Sequence, residues 1–148
     1  MTTILRATTE LVAVSWLSDL FDTPMVATNL PKNTASWKDT GFVVVNTVGG
    51  SPHPYMAVRN PVVQIDCWAV SPESASAPWG MANNLAETIQ NGFYDVTDTP
   101  RDLVLPAGFP GARVLSAWTI AEPRRIYEDE ASYARYTMSA QFTWIELP

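Results

Sequence analysis

Few residues in this chain have the chemistry of a catalytic or ligand-binding site. There is one cysteine and one histidine, so a thiol–imidazole pair can only be Cys67 with His53. Cys67 lies inside the apolar run Val62–Ala69, where a free cysteine packs as a small hydrophobe, and His53 lies between Pro52 and Pro54. Nothing in the spacing joins the two, so nucleophilic catalysis is not expected of either. Asp66 shares that apolar run, close to Trp68. A carboxylate there could do acid–base work. The simpler expectation is pairing with an arginine or contact with a neighbouring subunit. Glu128, Asp129 and Glu130 lack the alternating spacing and the glycine of a calcium loop and read as a solvated turn. One histidine and one cysteine also exclude a His- or Cys-based metal centre. The GxSxG, GxGxxG, Walker-type and HExxH patterns do not occur. Gly49-Gly50 alone reads as a turn, and the aromatics are not interleaved with Lys or Arg as a single-strand binder needs. No catalytic, cofactor-binding or metal-ligating residue is expected. Arg124-Arg125 carries two readings: plain solubility, or recognition of acidic groups on another protein through guanidinium–carboxylate pairs.

The elements that must position these residues follow from periodicity. Ala13, Trp16, Leu17, Leu20 and Phe21 recur at helical spacing, predicting a helix over Thr8–Phe21 capped by Thr8 or Thr9, with Glu10 suiting the helix dipole and Pro24 ending it. A short extended piece over Met25–Thr28 and a loop follow. Phe42–Val48 is a β-branched strand with little water on either face, broken by Gly49–Pro54. Pro61 heads the next strand, and Val62–Ala69 has apolar residues at both parities, as a central strand does. Ala82, Leu85, Ala86, Ile89 and Phe93 form the stripe of a second helix, with Ser76 as N-cap and Gly92 as its left-handed C-terminal turn. Arg101–Leu105 is extended. Arg113–Ala121 and Ser132–Leu147 form a closing hairpin, with Glu122–Glu130 as a charged tip. In the second of these strands Ala134, Tyr136, Met138, Ala140, Phe142 and Trp144 alternate with polar or smaller residues, which sets one face on the core and leaves the other wet or at an interface.

Composition narrows the class. The chain has 148 residues, enough for one domain, and 47% of them are apolar, enough for a core. Only 16% are charged, against six Trp, five Tyr and five Phe, a balance that hints at surface hidden by assembly. The net charge of −6 argues against an electrostatic grip on nucleic acid. No apolar run reaches membrane-span length, and the first residues lack a signal-peptide pattern, so an intracellular product or part of an assembly is expected.

The order of elements, the strand Pro61-Val-Val-Gln-Ile-Asp-Cys-Trp-Ala69, the helix containing Leu85-Ala-Glu-Thr-Ile89 and the hairpin from Arg113-Val-Leu through Glu122-Pro-Arg-Arg to Tyr133-Ala-Arg-Tyr-Thr-Met-Ser-Ala-Gln-Phe142 resemble the tail terminator (tail completion) proteins of long-tailed bacteriophages. The likeness is to versions from phages of actinobacteria and spans most of the chain. It implies an α+β fold, a single domain over residues 1–148, with a mostly antiparallel sheet and two helices packed on one face. It also implies a hexameric ring at the head-proximal end of the tail tube, assembled in the host cytoplasm. That ring ends tube polymerisation, binds the tail tube protein on one side and a head-completion or neck protein on the other, and passes DNA through its lumen without specific binding. No enzymatic activity, cofactor or membrane is implied. The residues assigned to protein–protein contact are Arg124, Arg125, Glu128, Asp129, Gly49, Gly50, His53 and Asp66. The alternatives are another neck or tube component, such as a head-closure or connector protein, and a small hydrolase using Asp66 or Cys67.

Overall fold

The computed structural model describes residues 5–23, 25–95, 99–127 and 131–148. Six strands form one sheet: β1 (Val26–Ala27), β2 (Phe42–Gly50), β3 (Pro61–Val70), β4 (Arg101–Leu103), β5 (Ala112–Ile126) and β6 (Tyr133–Glu146). The strand order is β1-β2-β3-β6-β5-β4, with β1 parallel to β2 and every other pair antiparallel. Two helices, α1 (Thr9–Ser18) and α2 (Trp79–Phe93), complete the α+β fold. The apolar strand Val62–Ala69 is indeed central, and Pro61 stands at its head, where no ladder donor is required.

Both helices pack on one face of the sheet. Trp16 of α1 stacks on Phe93 of α2 with ring centroids 4.9 Å apart, and both rings meet Phe142 of β6 edge-on. Val63, Ile65 and Cys67 of β3, Met138, Ala140 and Phe142 of β6, and Val114 of β5 form the floor beneath them, all buried. Each fully buried aliphatic or Phe side chain stabilises the fold by roughly 1.5–3 kcal/mol. Thr8 caps α1, its side-chain oxygen accepting from the Leu11 N–H. The helix stops at Ser18 rather than Phe21. The Leu20 and Phe21 amides bond to Leu17 and Ser18 carbonyls, a tightened last turn, so Leu20 and Phe21 pack against the core from beyond the helix.

α2 buries the expected stripe, but its ends differ from expectation. Pro78, not Ser76, is the N-cap, and no side chain caps the helix. Gly92 lies within the helix. A Cβ there would come within 2.8 Å of Leu20, so its small size serves close approach and not a left-handed turn.

The other face carries no helix. Its end near Phe42 and Tyr133 is covered by Trp37, beside the short 3₁₀ turn Thr34–Ser36 in the segment read as loop, and Val44, Asp66 and Thr137 in the next row are buried as well. Trp37 is buried, and its indole N–H donates to the Pro31 carbonyl. β2 is therefore water-poor on both faces only over Phe42–Val45; residues 46–50 are exposed. The strand also does not break at Gly49. It runs through Gly49 and Gly50, absorbing them with a bulge between Thr47 and Gly49.

Candidate functional site

Asp66, Gln64, Arg135, Thr137 and Arg124 sit on the helix-free face, and strand register places them in rows. One row runs Phe42, Trp68, Arg135 and Ile126 across β2, β3, β6 and β5. The next runs Val44, Asp66, Thr137 and Arg124. Then come Asn46, Gln64, Ser139 and Ala121, and Val62, Gln141 and Trp118. The register thus brings two of the expected contact residues, Asp66 and Arg124, into one row, with Thr137 between them.

Asp66 pairs with arginine, as expected. Its Oδ1 accepts from Arg135 Nη2 at 3.2 Å, and both carboxylate oxygens accept from Gln64 Nε2. Asp66 is 5% exposed, so the carboxylate is held away from water by these partners and by the sheet itself. Arg135 also lies over the Trp68 ring, its guanidinium carbon 5.1 Å from the centroid. The Asp66 cluster is a satisfied ion pair with no free proton acceptor aimed at a cavity.

Arg124 and Arg125 are not on a hairpin tip. β5 continues through Glu122 and Pro123 to Ile126, with Arg124 opposite Thr137 and Arg125 opposite Tyr136. Two neighbours on a strand point to opposite faces, so the pair is split. Arg124 stands exposed on the helix-free face, while Arg125 turns to the helix side. There its guanidinium lies 4.3 Å from the Trp79 ring centroid and 5.8 Å from that of Tyr136, and Nη2 donates to the Tyr136 hydroxyl at 3.3 Å. The hydrogen bond to Tyr136, then that to Tyr127, raises the Arg125 pKa further. Arg125 therefore links α2 to the β5–β6 hairpin through Trp79 and Tyr136, and the expected charged tip over Glu122–Glu130 is, as far as Ile126, strand. Glu128 and Asp129 lie outside the described residues.

Gly49 and Gly50 at the end of β2, and His53 in the connection from β2 to β3, lie at the opposite end of the sheet. His53 Nδ1 accepts from the Tyr55 and Met56 amides at 3.1 and 3.0 Å, so the imidazole is a turn-former. Cys67 points the other way, into the helix-side core, where it is fully buried; burial, with the nearby Asp66 charge, pushes its thiol far above the usual range. His53 and Cys67 belong to different parts of the fold, and no nucleophile–base pair arises from them. Among the described residues no group of three His, Cys, Asp or Glu side chains could hold a metal, and no helix is long and apolar enough to cross a membrane. Two clefts stand out. One of about 380 Å³ lies beside Lys38, Asp39 and Glu73, and one of about 400 Å³ lies beside Trp79, Tyr127 and Tyr133.

Sequence reasoning did not single out the exposed apolar residues at the sheet's two sides. Val48 is 62% exposed on β2, and Trp118 and Ile120 are 45% and 51% exposed on β5. Their signal was present as uncharged runs in strands, but which strands lie at the edges is decided by topology.

The fold has a counterpart among solved structures: a chain of the virion of a native gene transfer agent (GTA) particle, at a TM-score of 0.52 and 15% identity, covering 91% of this chain and 88% of that one. At that identity the likeness is one of fold. No protein-family model matches the sequence, and no curated protein matches it.

Proposed function

We propose that this chain is a structural protein of a phage-like virion, acting at the head–tail neck as a tail terminator. In this reading copies form a ring, six around, at the head-proximal end of the tail tube. The ring stops tube growth and presents its opposite side to a head-completion protein. The observation that carries the reading is a fold shared with a virion chain across nearly the full length of both. It is supported by a sheet face on which, among the described residues, neither α-helix packs and Trp118 and Arg124 stand exposed. The polar chemistry on that face is spent on internal pairs such as Asp66–Arg135, and not on a reactive centre. A net charge of −6 suits a channel through which DNA slides without sticking. No step of catalysis is assigned to any residue.

The test is assembly. Tail tubes made without their terminator are mixed with the purified chain at micromolar concentration and viewed by electron microscopy. Capping at one tube end supports the terminator reading. Binding only to isolated heads means a head-side neck component, and binding to neither sinks the neck assignment.

A further inference from the structure

The sheet has two sides that its short outer strands leave mostly bare. β1 covers β2 only at Val43 and Val44, and β4 covers β5 only at Ala112, Arg113 and Val114. Among the described residues no strand pairs with the outer side of β2 over 45–50 or of β5 over 115–126. Bare edges are normally blunted by charge or proline. In the bare part of β5 such residues begin only at Glu122 and Pro123; the seven residues Leu115-Ser-Ala-Trp-Thr-Ile-Ala121 hold none. The six residues Val45-Asn-Thr-Val-Gly-Gly50 of β2 hold none either. The exposed apolar side chains Val48, Trp118 and Ile120 stand on these two stretches.

We propose that these two edges pair with each other between copies, residues 115–121 of one copy adding to residues 45–50 of the next and carrying the sheet across the subunit boundary. The occupant of each edge is a second copy of this chain, because the two stretches, seven and six residues, are of similar length and lie on opposite sides of one sheet. Neither brings a charge to repel the other. Strand direction agrees. Three successive antiparallel pairings, β2 with β3, β3 with β6 and β6 with β5, leave β2 and β5 running in opposite directions. Copies related by rotation about an axis along the strands keep those directions, so β5 meets the neighbouring β2 antiparallel. Contacts between unlike edges are head-to-tail, and when the rotation closes they make a ring with no edge left over. Bulges lie within or beside both stretches, between Thr47 and Gly49 in β2 and between Val114 and Ser116 and Thr119 and Ala121 in β5. They bend and twist their strands, as a sheet closing on itself requires. The pairing buries Val48 with Trp118 or Ile120, removing the apolar surface that the lone chain leaves in water.

This inference rests on the proposed ring and names its subunit contact. The test is backbone hydrogen exchange by mass spectrometry on the full chain, free and mixed with tail tubes lacking their end ring. Protection that appears on assembly over both 45–50 and 115–121 is the expected result. Tube capping without new protection at both stretches overturns edge pairing and leaves the terminator reading standing, whereas absence of any capped or ring state overturns both. Val48→Lys and Trp118→Glu, each placing a charge on one edge, should lower the capped fraction at least tenfold while the free chain melts as before. Undiminished capping by both variants overturns the proposal.

Discussion

At Cys67 the thiol lies under both helices, in contact with no water and with no base at hand, so the folded chain should resist thiol reagents. Labelling by a maleimide is expected only on unfolding, with the rate following denaturant concentration through the transition; fast labelling of the native chain would contradict the burial. Full burial also sets the cost of Cys67→Ser. A hydroxyl placed there without a partner should cost about 1–3 kcal/mol, read from urea midpoints. Asp66 presents the reverse case, a charge already satisfied. Asp66→Ala leaves the part-buried Arg135 without its carboxylate and should cost about 2 kcal/mol, most of it recovered when Arg135 is truncated as well in a double-mutant cycle. Near the chain ends, the Ala7 N–H and the Arg6 guanidinium hold the Glu146 carboxyl below its ordinary value of 4.5. Arg113 does the same for Asp102, ordinarily 3.8. A depressed carboxylate stabilises the folded state fully above its unfolded value, and that contribution is lost as pH falls through the lower folded value. The melting temperature should therefore hold from neutral pH to about pH 5, then fall below the ordinary carboxylate range. Glu146→Gln should make that fall shallower, and an identical acid slope in the variant would contradict the pairing.

At the scale of elements, β6 shows how far alternation carries. Phe142 and Trp144 are 1% exposed, and their change to alanine should cost roughly 3–5 kcal/mol. Tyr136, on the same face, is only half-buried even with Arg125 and Trp79 packed beside it, so its loss should be smaller. The opposite parity is not uniformly wet: Thr137 is buried, and Tyr133 packs against Trp37 and Trp68. Tyr133→Ala should therefore cost more than Thr143→Ala, checked by denaturant midpoints of the two variants. The core strand and both helical stripes were legible because burial repeats at fixed periods, whereas the mostly antiparallel sheet was implied only by the family resemblance. The end of β5 was not. Glu122-Pro-Arg-Arg looks like a turn by charge and proline, yet β6 alternates far enough that its partner must continue beside it, and Pro123 fits at a bulge of an edge-facing strand. Consequently Arg125→Glu should lower the melting temperature by breaking the stack on Trp79, whereas Arg124→Glu, on the other face, should leave it nearly unaltered. Equal effects of the two would mean that the strand does not pass through this segment. The Gly49-Gly50 pair was misread for a related reason, since glycine marks a bulge as readily as a turn.

For the whole molecule, the sequence carried class but not connection. Low charge and many aromatics pointed to assembly, and the structure locates surface that fits it: two bare strand edges and a sheet face on which neither α-helix packs. What no periodicity reveals is which strands end up outermost, because that is fixed by pairings between residues far apart in the chain, such as β3 with β6. The contact residues named from sequence are accordingly scattered. Asp66 and Arg124 share a row, Arg125 faces away, and Gly49, Gly50 and His53 lie at the far end of the sheet. In the proposed function this fold closes a tail tube. Its most direct test is tail length in a lysate depleted of the chain and then supplemented with it, measured by electron microscopy. Overlong, uncapped and headless tubes are expected on depletion. Supplementation should restore tubes of one length, each carrying a ring at one end and able to join heads. Tubes of normal length that join heads without the chain would contradict it.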